Sequence, residues 1–175
     1  MPSGCTIWLT GMSGSGKTTV GRLICQSLAA RGLPQELLDG DVVREHLSQG
    51  LGFSKRDRDI NVQRIGWVCE ILTRHGVYVC AAAISPYDQA RREVRRRVGR
   101  FLLVHCTAPL AVLESRDVKG LYRRARAGEI KNFTGIDDPY EAPADADVVV
   151  NSDGSETPAQ SAARVLATME RLGLF

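Results

Sequence analysis

The chain has 175 residues, 43% of them hydrophobic and 25% charged, the makeup of an ordinary folded domain, which excludes a disordered or collagen-like chain. Its net charge is only +3, but the 23 basic residues comprise 19 Arg and 4 Lys, a bias that suits bidentate capture of an anionic ligand. No apolar run nears the roughly 18 residues that span a bilayer, and Met1–Gly11 carries no charged leader, so a cytoplasmic location is expected.

In chain order, apolar runs of strand length alternate with amphipathic stretches: strand Cys5–Thr10, helix Gly16–Arg31, strand Gln35–Asp39, helices Val42–Gln49 and Arg58–His75, then strand Val77–Ile84. Helix Asp88–Val98, strand Phe101–Cys106, helix Leu110–Arg116, strand Asp147–Asn151 and helix Pro158–Leu172 complete the pattern. Continuously apolar strands joined by helices predict a single α/β domain over residues 1–175, with a parallel five-stranded sheet between two helical layers. The five cysteines, Cys5, Cys25, Cys69, Cys80 and Cys106, lie in apolar segments with no CxxC pair, so buried free thiols are expected and a zinc site is not.

Two segments stand apart. In the helix from Asp88, Ala90, Val94 and Val98 share one face, and Arg91, Arg92, Arg95 and Arg96 fall on another. That face reads either as a nucleic-acid patch or as a solvated surface; the Glu93–Arg97 spacing favours the solvated surface. Asp117–Ala144 is polar, with isolated apolar residues, and a long polar insertion inside a domain predicts a lid over a site.

Gly11-Met12-Ser13-Gly14-Ser15-Gly16-Lys17-Thr18 matches GxxxxGK[ST] between a strand and a helix, the context a phosphate-binding loop requires. Its backbone N–H groups and the helix N-terminus converge on phosphate, Lys17 reaches the β- and γ-phosphates, and the Thr18 hydroxyl suits Mg²⁺, with Thr19 next in the loop. A guanine-reading NKxD string is missing, and Asp117-Val118-Lys119-Gly120 fits the loose DxxG pattern but precedes a basic segment. At Leu37-Leu38-Asp39-Gly40-Asp41 an apolar strand ends in two carboxylates. Such strand ends face the ligand in open α/β sheets, so one acid can organise Mg²⁺ and the other can take a proton from an attacking hydroxyl. Asp41 also suits the cap of the next helix. Arg44, the Asp57-Arg58-Asp59 string, Asn61, Arg64, and the loop aromatics Phe53 and Phe133 point to a substrate with anionic and aromatic parts.

These strings together resemble the adenylyl-sulfate kinase family, over Ile7 to about Asn151. The resemblance rests on the loop Gly11–Thr18, Leu38-Asp39-Gly40-Asp41-Val42-Val43-Arg44, Leu51-Gly52-Phe53-Ser54, Asp57-Arg58, Asn61 and Arg64-Ile65-Gly66. It extends through Ile84-Ser85-Pro86-Tyr87, Arg116-Asp117-Val118-Lys119-Gly120-Leu121-Tyr122 and the block from Lys131 to Pro143. It implies a P-loop NTPase fold and transfer of the γ-phosphoryl of MgATP to the 3′-hydroxyl of adenosine 5′-phosphosulfate (APS), with ATP and Mg²⁺ as cofactors. Asp41 would act as base or metal organiser beside Asp39. Arg44, Arg58 and Asn61 would hold the phosphosulfate, Phe53 and Phe133 would sandwich the adenine, and Ile84 and Ser85 would line the pocket. Lys119, Gly120 and Leu121 would close over it, and Arg116 would flank the ATP base. The family assigns a phosphoserine to the Ser85 position, yet in-line transfer needs no protein nucleophile and no base stands nearby in sequence, so substrate binding is expected of Ser85.

The chain departs from the family pattern at Ile60, Gln63 and Val118, and Gln63 in place of Arg bears on sulfonucleotide affinity. The chain starts close to its first strand, so a short or missing version of the family's N-terminal arm is expected. A homodimer and association with an ATP sulfurylase are the implied partnerships, with no nucleic acid and no membrane. The rivals are a P-loop kinase for another small metabolite and a nucleic-acid-associated NTPase.

Overall fold

A computed structural model describes residues 4–175; the first three residues of the expected leaderless start lie outside the described residues. Five strands form one all-parallel sheet in the order β2-β3-β1-β4-β5. They are β1 (Cys5–Thr10), β2 (Gln35–Asp39), β3 (Tyr78–Ala82), β4 (Phe101–Thr107) and β5 (Val148–Asn151). Every residue of β1 is buried, as the central strand of a sheet covered on both faces must be. Alternation along it divides the interior. Cys5, Ile7 and Leu9 join the cluster under α1 (Lys17–Ala30) and the C-terminal helix, whereas Trp8 joins Val79, Ala81 and Leu103 under the helices of the other face.

Between these strands lie α2 (Gly40–His46), α3 (Lys55–Arg74), α4 (Asp88–Val98), α5 (Leu110–Arg116), α6 (Leu121–Arg126) and α7 (Pro158–Arg171). Capping moves several ends from where periodicity puts them. The Ser54 hydroxyl accepts from the Asp57 N–H and starts α3 at Lys55, three residues before Arg58. The cap of α2 is Asp39, whose carboxylate accepts from the Asp41 N–H at 2.9 Å, so the helix begins at Gly40 and Asp41 sits in its first turn instead of capping it. A capping box of Thr157 and Gln160, with Pro158 at the first position, opens α7. Strand β3 stops at Ala82, short of Ile84, because the chain turns away at Ser85, whose φ is +41°.

Two further expectations need correction. Arg91 does not belong to a solvated face: it is 1% exposed, whereas Arg92 pairs with Asp88, Arg95 with Asp147 and Arg97 with Glu70 nearer the surface. The apolar residues of 117–144 are not isolated either. Tyr122, Ala125 and Phe133 form a third buried cluster with Ala108 and Leu113, against which Met12, Leu121 and Ile136 pack, and α6 runs through it. Arg91 gains the Glu141 carbonyl, and Tyr122 and Ala125 gain Ala108 and Leu113, from outside their own segments, which local periodicity cannot register.

All five cysteines are free and buried, as expected. Among the described residues, no helix is long and apolar enough to cross a membrane.

Candidate active site

Ligands in open α/β sheets bind outside the carboxyl ends of the strands where strand order reverses, and here that point lies between β1 and its neighbours. Gly11 follows β1 with φ +154°, and a Cβ there would lie 2.2 Å from the Cys106 carbonyl oxygen, so only glycine lets the loop leave the sheet beside β4. Gly16 is left-handed at φ +79° and opens α1 without a side-chain cap, which leaves the helix N-terminus to an anion.

Lys17 folds back across the loop, its Nζ donating to the Gly11 and Met12 carbonyls at 2.9 and 2.8 Å. Burial among these groups, with a further push from the Lys119 charge, lowers its ammonium to about 8 against the opposing pull of Asp41 and Asp39. Thr18 donates its hydroxyl to Asp39 Oδ2 at 2.7 Å. Burial opposes ionisation of Asp39, but the Thr18 hydroxyl, the Asp41 and Val42 N–H groups and the Lys119 charge outweigh it and hold the carboxyl below its usual range. Thr18 and Asp39 therefore offer adjacent hard oxygen donors, the chemistry Mg²⁺ selects. Gly14 and Thr19 are exposed, Ser15 is buried, and Ser13 lends its carbonyl to the Tyr122 hydroxyl at 2.9 Å.

Asp41 is exposed and ion-paired with Lys119 of the 117–144 segment. That segment is organised by Asp117, whose carboxylate accepts from the N–H groups of Tyr122 and Arg123 at 3.0 Å each and so starts α6. The DxxG-like string is thus a helix start: Asp117 caps, Lys119 pairs, and Gly120 takes the left-handed φ of +64° that joins them. Leu121 packs in the third cluster, and the Arg116 guanidinium approaches the Ser152 hydroxyl at 3.4 Å, near Gly16.

Phe53 is 50% exposed with the Arg44 guanidinium 4.5 Å from its ring centroid and Arg58 at 5.5 Å. Phe133 is not an exposed plate: it is 7% exposed and meets Tyr122 edge-on at 5.0 Å. Arg58 ties the two phenylalanine loops together. Its Nε donates to the Phe53 carbonyl at 3.0 Å and its Nη2 to the Asn132 carbonyl at 2.6 Å, with Asp138 at 3.6 Å. Asn61 is buried and its Oδ1 has no partner. Gln63 exchanges hydrogen bonds with Glu93 and Arg97 of α4, so the departure from Arg at this position falls on packing between α3 and α4.

Ser85 is buried. Its Oγ accepts from Trp8 Nε1 at 3.0 Å and donates to Thr10 Oγ1 at 3.0 Å, and Thr10 reaches the Ile84 carbonyl and the Tyr140 hydroxyl. No histidine, lysine or carboxylate is among its hydrogen-bond partners, which leaves a serine nucleophile without an activating base. Trp8, Thr10 and Arg91 carry no local mark of a site in the sequence, being two strand residues and a helix arginine. Tyr87 and Tyr140 are visible there only as parts of strings. Burial and the Asp138 carboxylate push the Tyr87 phenol up to about 12, so it stays protonated and donates to Asp138 at 2.9 and 3.0 Å.

A complete phosphate loop on the central strand of this sheet, with a carboxylate hydrogen-bonded to its Thr18, defines a P-loop kinase of α/β/α architecture. The sequence model described as adenylylsulphate kinase matches residues 3–151. The adenylyl-sulfate kinase of Gloeothece citriformis is 56% identical over 170 residues, 97% of this chain and 96% of that protein. The APS kinase of Mycobacterium tuberculosis, solved in complex with AMPPNP and APS, superposes with a TM-score of 0.92 at 41% identity, covering 97% of this chain and 99% of the other. A probable bifunctional SAT/APS kinase of Sorangium cellulosum is 52% identical over 98% of this chain, which spans 29% of that protein. The chain belongs to the adenylylsulphate kinase family.

Proposed function

We propose that this chain transfers the γ-phosphoryl of MgATP to the 3′-hydroxyl of adenosine 5′-phosphosulfate, giving the 3′-phosphorylated product and ADP. The hydrogen bond that joins Thr18 of the phosphate loop to Asp39, two residues before Asp41, carries this reading. It sets a pair of hard oxygen donors at the carboxyl end of β2, beside the Asp41 carboxylate in the first turn of α2, which Lys119 of the lid pairs with. Thr18 and Asp39 would hold Mg²⁺, which would supply charge neutralisation on the phosphates. The acceptor oxygen attacks the γ-phosphorus in line, the bond to the bridging oxygen of ADP breaks, and the hydroxyl proton passes to Asp41. Lys17 and the loop N–H groups stabilise the charge on the transferred group.

The segment 117–144 acts as the lid. Lys119, Gly120 and Leu121 close over the acceptor, and Phe53, Arg44, Arg58, Asn61, Ile84, Ser85 and Phe133 form its pocket. Phe53 with its two neighbouring guanidiniums supports a base-bearing anion over a sugar acid. Because Phe133 is packed against Tyr122, stacking on it requires the lid to turn that ring out. Arg116 flanks the ATP base, Ser85 binds without becoming phosphorylated, and the whole chain works as one kinase unit. A homodimer is the assembly this reading favours, and the bifunctional relative supports association with a sulfurylase.

The deciding assay offers MgATP with APS, gluconate or AMP and follows ADP release. Turnover with APS is expected, and Asp41→Asn should cut it by roughly 10²-fold while leaving ATP affinity intact. Robust activity on another acceptor with none on APS would overturn the assignment. A near-wild-type rate in Asp41→Asn would remove the acid from the chemistry.

A further inference from the structure

Arg91, at the end of the first turn of the Arg-rich helix α4, is among the largest fully buried side chains of the described residues. Its Nη1 donates to the Ser85 carbonyl and its Nη2 to the Glu141 carbonyl, each at 2.6 Å. Asp88 lies 3.3 Å from Nη2, and Nε has no partner. An incompletely satisfied cation is a poor space filler, because an apolar side chain of similar volume fills such a site without desolvating a charge. What the planar fork adds is geometry: it fixes two carbonyls from two separate loops at one spacing.

Those two loops are the walls of the proposed acceptor pocket. Ser85 carries the left-handed turn after β3, and Glu141 closes the 117–144 segment that bears Phe133. Two further hydrogen bonds join them: the Glu141 N–H donates to the Pro86 carbonyl at 2.9 Å, and the Asp88 N–H to Glu141 Oε2 at 2.6 Å. Next to Glu141, Tyr140 reaches the Thr10 hydroxyl that also receives the Ser85 proton.

We propose that Arg91 is a positioning residue for the acceptor nucleotide, locking the Ser85 turn to the C-terminal root of the lid so that the pocket wall and its cover meet at one spacing. The proposal rests on the reading of Ile84, Ser85 and Phe133 as acceptor contacts. Arg91 touches no substrate; it acts through the two carbonyls.

The test compares Arg91→Met and Arg91→Lys with the wild type by steady-state kinetics and by hydrogen exchange at the Glu141 amide. Arg91→Met should raise KM for APS about ten- to a hundredfold while KM for ATP moves less than about twofold. Arg91→Lys keeps a charge that can hold one carbonyl and should fall between them. Exchange at Glu141 should quicken in the same order. A fall in kcat and Tm with KM for APS unchanged would reduce Arg91 to a packing role and overturn the proposal. Should the wild type fail to turn over APS, the assigned reaction fails, and the exchange measurement still decides the tether: protection of Glu141 unchanged in Arg91→Met overturns it, faster exchange retains it. If Arg91→Met does not yield folded protein, Arg91→Lys carries both readouts.

Discussion

Single side chains at this site are constrained by where their protons can go. The Ser85 Oγ is committed to Trp8 and Thr10, so it has neither a base nor freedom to attack, and Ser85→Ala should retain turnover. The same substitution strips the fully buried Trp8 N–H of its acceptor, which costs about 1–3 kcal/mol. Urea unfolding checks the loss of stability, and an inactive but stable variant would reinstate a covalent role. Lys17 yields a pH prediction with a defined sign. Its folded value of about 8 lies below the ordinary 10.5, so between these limits the unfolded chain binds the proton more tightly and stability rises with pH. Phosphates restore the ammonium, so nucleotide binding takes up a proton and weakens as pH climbs past about 8, by up to tenfold per pH unit. Calorimetry near pH 9 in buffers of different ionisation enthalpy measures that uptake, and a buffer-independent enthalpy would exclude it. The phosphate loop was legible residue by residue because its chemistry is backbone chemistry confined to one string. Arg91 was not, since an arginine on a helix is ordinarily solvated and only the folded chain brings it the Ser85 and Glu141 carbonyls.

Elements tell a similar story. Buried strands announce themselves by continuous apolar runs, and β1, β2 and α4 begin and end where the sequence puts them. Helix α6 did not, because six residues containing three arginines carry too little periodicity, and the cluster that holds Tyr122 and Ala125 is completed by Ala108 and Leu113 from outside the segment. Its start depends on Asp117, whose carboxylate serves two orphan N–H groups. Asp117→Ala should therefore fray the helix that carries the Tyr122 contact to the Ser13 carbonyl of the phosphate loop. Because Arg123, Arg124 and Arg126 all lie in α6, trypsin reads out that fraying directly. The variant should be nicked there faster than the wild type, with saturating MgATP and APS slowing cleavage in both. Equal cleavage rates would show that packing of Tyr122 and Phe133, not the cap, holds the segment.

At the scale of the whole molecule, the sheet order puts the phosphate loop on the central strand, between the cluster under α1 and α7 and the cluster under α3 and α4. The loop is bound to both sides. Gly11 abuts the Cys106 carbonyl of β4, Thr18 bonds Asp39 at the end of β2, and Met12 packs into the third cluster. A ligand gripped here engages groups from every layer, so its binding energy should appear as stability of the entire fold and not of one loop. At a hundredfold excess over Kd that linkage is worth about 2.7 kcal/mol. For a chain of this length roughly 2–4 °C accompanies each kcal/mol, so MgATP should raise Tm by about 5–10 °C in a single transition. Lys17→Ala should lose most of the shift while its ligand-free Tm stays within about 4 °C of the wild type, because the desolvated ammonium gives up little net stability when it is removed with its loop contacts. A two-step melt in which MgATP moves only one step would mean that the sheet does not unfold as one unit. A full shift in Lys17→Ala would place the nucleotide somewhere other than the loop after β1.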